Sequence, residues 1–87
     1  MSYFVYILFS EKDKKLYVGC TSDLEKRLIR HNSGFVESTK NRRPIVLIKK
    51  EIFDNKSEAF KRERFLKSLW GAREKSKILK SYIQSNS

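Results

Sequence analysis

Cysteine, histidine, proline and tryptophan each occur once in the 87 residues, and glycine three times. The single cysteine, Cys20, cannot close an internal disulfide, which fits a reducing compartment such as the cytoplasm. One Cys and one His (His31) cannot build a structural zinc site alone. Gly19, Gly34 and Gly71 stand apart from one another, so no glycine-rich phosphate loop is present. The longest apolar run, Tyr3 to Phe9, is far too short to cross a bilayer. No charged-then-apolar leader opens the sequence, so export by a cleaved signal is not expected. Negative charge is also scarce: 10 Asp and Glu stand against 20 Lys and Arg, a formal net charge of +10. A small domain with that excess is built to meet something anionic, whether nucleic acid, a membrane surface or an acidic partner.

The hydrophobic share of 39% is enough for one modest core. No internal repeat, low-complexity segment or Pro/Gly-rich linker divides the sequence. Residues 1–83 are expected to form one domain and 84–87 a frayed polar tail. Tyr3 to Phe9, aromatic and β-branched, reads as a strand apolar on both faces. Ser10 to Lys15 is a polar turn, and Leu16 to Cys20 a second strand closing an antiparallel hairpin. Ser22, with Glu25 three positions on, predicts a capped helix that Asn32-Ser33-Gly34 stops. A polar, basic loop over 35–43 leads to Pro44. Ile45 to Phe53 is a third strand, interrupted by Lys49, Lys50 and Glu51 as a strand near an edge would be. Asn55-x-x-Glu58 opens a helix expected to reach Trp70. Gly71 breaks it, and Ala72 to Ile83 forms the last helix. The order ββαβαα predicts an α+β fold, a three-stranded antiparallel sheet flanked by helices.

Several polar residues sit oddly for a bland fold. Pairing Phe9 with Leu16 places Tyr6, Tyr17 and Gly19 on one sheet face, with Leu16, Val18 and Cys20 on the other. Two strand tyrosines can be ordinary amphipathic packing, or a site. Leu24, Arg27, Leu28 and His31 follow helical spacing, so Arg27 and His31 border the stripe that faces the sheet. A snorkelling Arg and a satisfied boundary His account for that equally well. Ala59, Glu63, Leu66 and Trp70 form another stripe, in which Glu63 interrupts an apolar face. A carboxylate there needs a cation, a metal or a hydrogen-bonding partner; a pair with Arg27 is one solution. Together, two phenols, a guanidinium, an imidazole and one carboxylate suit attack on a phosphodiester. Arg steadies the charge on the non-bridging oxygens, and a lone carboxylate suffices for Mg²⁺.

These residues are similar to the motifs of the GIY-YIG nuclease superfamily, in its small single-domain bacterial branch. The resemblance extends to the GIY-YIG domain of the excision-repair nuclease. Phe4-Val5-Tyr6 and Tyr17-Val18-Gly19 stand for the two triplets, with ten residues between the tyrosines. Arg27, the His31-Asn32-Ser33-Gly34 stretch, and Glu58-Ala59 with Arg62-Glu63 and Lys67 follow at the family's spacing. Phe4 replaces the first glycine. Cys20 stands where some relatives carry a lysine, and Lys75 or one of its neighbours where some carry a late asparagine. The resemblance implies Mg²⁺- or Mn²⁺-dependent phosphodiester hydrolysis, with DNA expected over RNA, in repair, recombination or DNA processing. It implies Tyr17 as base, Tyr6 as the group orienting water or phosphate, Arg27 as transition-state stabiliser, His31 as proton relay and Glu63 as metal ligand.

The rival is a non-catalytic nucleic-acid-binding module on the same fold, because charge supports binding and says nothing about cutting. Lys40, Arg42, Arg43, Lys61, Arg62 and Lys67 are the expected phosphate contacts. A Cys20–His31 thiol dyad is set aside because Cys20 faces away from Tyr17. A basic membrane-binding helix is also set aside, since one core is expected to take up Phe60, Phe65, Leu69 and Trp70. No membrane partner is expected, and the protein should be cytoplasmic and a monomer or weak dimer.

Overall fold

The computed structural model describes residues 2–37 and 39–85. Strand β1 (Tyr3–Ser10) lies at the centre of an antiparallel sheet, between β2 (Leu16–Thr21) and β3 (Ile45–Phe53). Its two apolar faces are both covered. On one, Tyr6 and Leu8 pack with Leu24 and Leu28 of α1 (Leu24–Asn32). On the other, Val5 and Ile7 meet Ala59 and Leu66 of α2 (Lys56–Lys67) and Ile78 of α3 (Ala72–Ser85). The element order is ββαβαα, and the fold is the expected α+β sheet with flanking helices.

Phe9 pairs with Leu16 and Tyr6 with Gly19, so the hairpin has the register that the parity argument required. On the other side β3 slips by one residue between Ile7 and Leu8, where Ile48 is the extra residue. Leu47 and Ile48 serve opposite cores by ordinary strand alternation, and the slip shifts the parity of the residues beyond Ile48. Beyond it Glu51 comes opposite Val5, on the face covered by α2 and α3.

Helix boundaries differ from expectation in two places. Asp23, not Ser22, caps α1, its carboxylate accepting from the Lys26 amide. Both residue types are good caps; Thr21 decides between them by accepting from the Asp23 amide. At α2, Asn55 caps as expected, accepting from the amides of Ser57 and Glu58. The helix stops at Lys67 rather than Trp70. Ser68 turns extended and donates from its amide and its hydroxyl to the Phe65 carbonyl. A 3-10 turn, Leu69–Gly71, then leads into α3. Gly71 is required by close approach: a Cβ would lie 2.3 Å from the Phe65 carbonyl oxygen and 2.6 Å from Leu66 Cα.

Because α2 ends early, helical spacing does not carry Trp70 to the core. The expectation that one core takes up Phe60, Phe65, Leu69 and Trp70 fails: they are 42%, 41%, 93% and 84% exposed. At the C-terminus α3 runs through Gln84 and Ser85, and Tyr82 packs on Phe9. The last two residues of the expected tail lie outside the described residues.

Arg62 binds α2 to its neighbours. Its Nε and Nη2 donate to the two carboxylate oxygens of Glu51 on β3 at 2.7 and 2.9 Å, and its Nη1 and Nη2 donate to Glu74 on α3. The guanidinium holds the Glu51 carboxyl below its ordinary range, and the two carboxylates hold Arg62 charged. Arg62→Met should leave two half-buried carboxylates without a cation. A loss of about 2 kcal/mol in urea denaturation is expected, reduced from the fully buried case because the group is partly solvated.

Candidate active site

The outer strand β2 is only one strand wide between the two helical layers. A cleft of about 390 Å³ runs along it and is lined from both sides. From the α1 side come Tyr6, Tyr17, Arg27 and His31; from the other come Glu63 and Lys67 of α2 and Lys75 of α3. The five residues expected to do chemistry therefore share one cavity. Gly19 makes the join possible. A Cβ there would sit 2.3 Å from both Cζ and Oη of Tyr6, so the phenol occupies the space a side chain would fill.

The Tyr6 side chain is buried, and its hydroxyl is the hub of a chain of polar groups. Arg27 Nε donates to it at 3.3 Å, and His31 Nε2 lies 3.3 Å away. His31 Nδ1 is 2.8 Å from the hydroxyl of Thr39, which is fully buried. Burial, helped by the Arg27 charge, lowers the His31 pKa, so the ring is neutral near pH 7. One arrangement satisfies every member. Nδ1–H donates to Thr39, Nε2 accepts the Tyr6 proton, and Tyr6 oxygen accepts from Arg27. Burial raises the Tyr6 pKa, the Arg27 hydrogen bond and charge oppose the rise, and the negative charge of Glu63 adds to it. Glu63 is thus felt at the phenol from across β2.

Tyr17 is placed differently. It shares the face of Tyr6, but its hydroxyl donates to Asp13 Oδ2 at 2.9 Å, and Arg42 pairs with the same oxygen at 2.7 Å. Partial burial and the Asp13 hydrogen bond raise the Tyr17 pKa. Burial alone would raise Asp13, yet the donors Tyr17, the Lys15 amide and Arg42 hold it low. The phenol is therefore held as a donor.

Glu63 is mostly enclosed, with 16% of its side chain exposed, and pairs with Lys67 at 3.3 Å. Among the described residues no three His, Cys, Asp or Glu gather into a metal cage. A single enclosed carboxylate does fit Mg²⁺ or Mn²⁺, which retains water and takes phosphate oxygens as further ligands. Cys20 packs on the opposite face with Val5 and Ile7, and burial and the Glu63 charge push its thiol up, which disfavours the thiolate that a nucleophile needs.

The sequence model of the GIY-YIG catalytic domain matches residues 2–77. The chain belongs to the GIY-YIG family. It is 48% identical over 67 residues to the UPF0213 protein SSP2268 of Staphylococcus saprophyticus, covering 76% of this chain and 80% of that one. It is 44% identical over 80 residues to the UPF0213 protein YsiG of Lactococcus lactis, covering 91% and 76% respectively. The solution NMR structure of the UPF0213 protein BH0048 from Bacillus halodurans superimposes with a TM-score of 0.57 at 34% identity, covering 92% of this chain and 84% of that one. The GIY-YIG family is one of nucleases, so membership implies a nucleic-acid substrate. No described helix is long and apolar enough to cross a membrane.

Within this GIY-YIG fold the six cations expected at phosphate separate. Lys67 alone of them lines the cleft, where Lys75 joins it. Lys40 pairs with Glu37, and Lys61 with Glu58, on exposed surface. Arg42 pairs with Asp13, and Arg43 donates to the carbonyls of Lys40 and Asn32, so both hold the 35–43 loop in place. The donors of Arg62 are taken up by Glu51 and Glu74, so it ties α2 to β3 and α3.

The sequence pattern does not single out Thr39 or Asp13, because neither has a periodic signal. The 35–43 loop carrying Thr39 is fixed by Ser10, whose hydroxyl donates to the Arg42 carbonyl at 2.6 Å.

Proposed function

We propose that the protein is an endonuclease that hydrolyses phosphodiester bonds, DNA over RNA, with Mg²⁺ or Mn²⁺ bound at Glu63. It would act in the cytoplasm, in repair, recombination or DNA processing. The observation that carries this reading is the convergence of Tyr6, Arg27, His31 and Glu63 on one cleft, with a prebuilt proton path between Tyr6 and His31.

The metal supplies charge stabilisation at the phosphate and a more acidic water. The chain's own residues do the rest. The phenolic proton moves to His31 Nε2, the Tyr6 oxygen takes the proton of the water as that water attacks phosphorus, and the bond from phosphorus to the leaving ester oxygen breaks, that oxygen taking its proton from solvent. Thr39 keeps His31 in the accepting tautomer. Arg27 holds the developing phenolate through Nε, and its remaining N–H groups can meet the non-bridging oxygens. Lys67 and Lys75 add positive charge at the cleft wall. Tyr17, held as a donor by Asp13, orients the substrate; the roles first expected for the two tyrosines are exchanged, because only Tyr6 has a neutral base beside it.

The test is incubation with labelled single-stranded, duplex and branched DNA and with RNA, with Mg²⁺, with Mn²⁺ and with chelator. Cleavage is expected with metal only, and Glu63→Ala should lower it by about a thousandfold. Tight, salt-sensitive binding without metal-dependent, Glu63-dependent cleavage would make the protein a binding module instead.

A further inference from the structure

The corner between α2 and α3 presents Leu69 and Trp70 to solvent, 93% and 84% exposed. Two large apolar side chains adjacent in sequence and both exposed, in a segment rich in Lys and Arg, have the character of an interaction surface. The corner is stiff: the Ser68 and Gly71 amides donate to the carbonyls of Phe65 and Ser68, and Gly71 lies against the last turn of α2 with no room for a Cβ. Trp70 is also bracketed in sequence by Lys67 and Lys75, which line the catalytic cleft.

Charge chooses the occupant. Between Lys56 and Lys80 there are nine Lys and Arg against three Glu. Those three are taken by Lys61, Lys67 and Arg62. Arg64, Arg73 and Lys77 stay exposed around the corner. A second copy of this chain, itself at +10, would be repelled. A polyanion carrying flat, apolar faces is complementary in both respects.

We propose that Trp70 is a stacking platform for an unpaired base of the strand whose phosphate occupies the cleft. This rests on the phosphodiester reading of that cleft and adds to it a preference for single-stranded or locally opened nucleic acid. Stacking on an aromatic ring beside a cationic track is tolerant of sequence, because every base offers a π-face.

Trp70 is the only tryptophan, so its emission reports on this corner alone. The full chain, in chelator, is titrated with oligothymidylate, with the matching duplex, and with an abasic oligomer of equal length and charge. Quenched emission and protection from iodide are expected with the single strand and not with the abasic oligomer. Trp70→Ala should weaken single-strand affinity by roughly tenfold, Trp70→Phe much less, and neither should alter affinity for the abasic oligomer. The exposed position lets both variants fold as the parent does, and unchanged thermal melting checks it. Oligothymidylate binding by anisotropy with unchanged Trp70 emission overturns the platform and leaves the cleft reading standing. Absence of binding to all three oligomers overturns the cleft reading itself. Burial of Trp70 on concentrating the protein alone, or only on anionic vesicles, assigns the corner to a second copy or a lipid surface and overturns the proposal.

Discussion

Gly19→Ala is expected to reduce cleavage at least about a hundredfold and to lower folding stability by about 2 kcal/mol. The new methyl would lie 2.3 Å from Tyr6 Cζ and Oη and 2.8 Å from Cε2. Such contacts relax cheaply only when the neighbour is a loose side-chain tip. Tyr6 is 2% exposed, its ring packs with Leu8 and Leu24, and its hydroxyl is held by Arg27 and His31. The ring must move, and every polar contact of the site moves with it. Gly19 has no positive φ, so the loss arises from the added methyl, not from backbone strain. Tyr6→Leu removes the obstructing atoms. In that background Gly19→Ala should cost little stability while activity stays low. Urea denaturation and cleavage rates on the four proteins of this cycle give the coupling. Near wild-type behaviour of the single variant would show that Tyr6 does not lie over Gly19.

The sheet and the tyrosine face were legible because strand periodicity is two and a short hairpin loop leaves one workable register; Tyr6 opposite Gly19 follows from pairing Phe9 with Leu16. The span of β3 and the Asn55 cap were legible for similarly local reasons. What escaped was set by tertiary contact. The end of α2 depends on the fit of Gly71 against Leu66, so the stripe drawn through Trp70 stops a turn short. Glu51 was visible as an interruption of a strand, but its partner Arg62 lies on another element, and Glu74 on a third. The ion pairs of Arg62 could not be read in advance, because a charged residue in a sequence carries no record of what faces it. Thr39 was invisible for the same reason: its position in an aperiodic loop acquires meaning only when Ser10 anchors that loop beside α1.

The candidate site also depends on β2 being an outer strand. Each helical layer alone offers an incomplete set: α1 brings the guanidinium and imidazole, α2 the carboxylate. In the middle of a sheet they would be separated by a continuous wall. At an edge one strand wide, with glycine at the crossing point, they face a common cavity. The clamp made by Arg62 then matters to function indirectly, since it fixes α2, and so Glu63, against the sheet and α3.

Tyr6→Phe should lower the cleavage rate by about 10² to 10⁴-fold, and Tyr17→Phe by clearly less. The difference comes from what each hydroxyl faces. Tyr6 has a neutral imidazole ready to take its proton and a guanidinium to hold the phenolate. Tyr17 faces Asp13, whose oxygens are already claimed by Arg42 and the Lys15 amide and whose pKa is held low, so it is a poor proton acceptor. The same geometry sets the acid limb of the pH profile. Burial and the Arg27 charge push His31 below its ordinary pKa of about 6.5, so the imidazole stays neutral through that pH and protonates only on further acidification. Cleavage should hold steady from neutrality down past that value and then fall as His31 loses its acceptor. Stability should also fall on acidification, but starting higher: the unfolded chain takes up a proton near the ordinary pKa of about 6.5 that the folded chain refuses until its own lower pKa, so folding weakens as pH falls between those two values. His31→Gln, which can still hydrogen-bond both neighbours, should flatten that part of both profiles and leave a slow, nearly pH-independent rate. Equal losses in Tyr6→Phe and Tyr17→Phe, with the acid limb intact in His31→Gln, would move the proton path away from Tyr6 and onto the Tyr17–Asp13 pair.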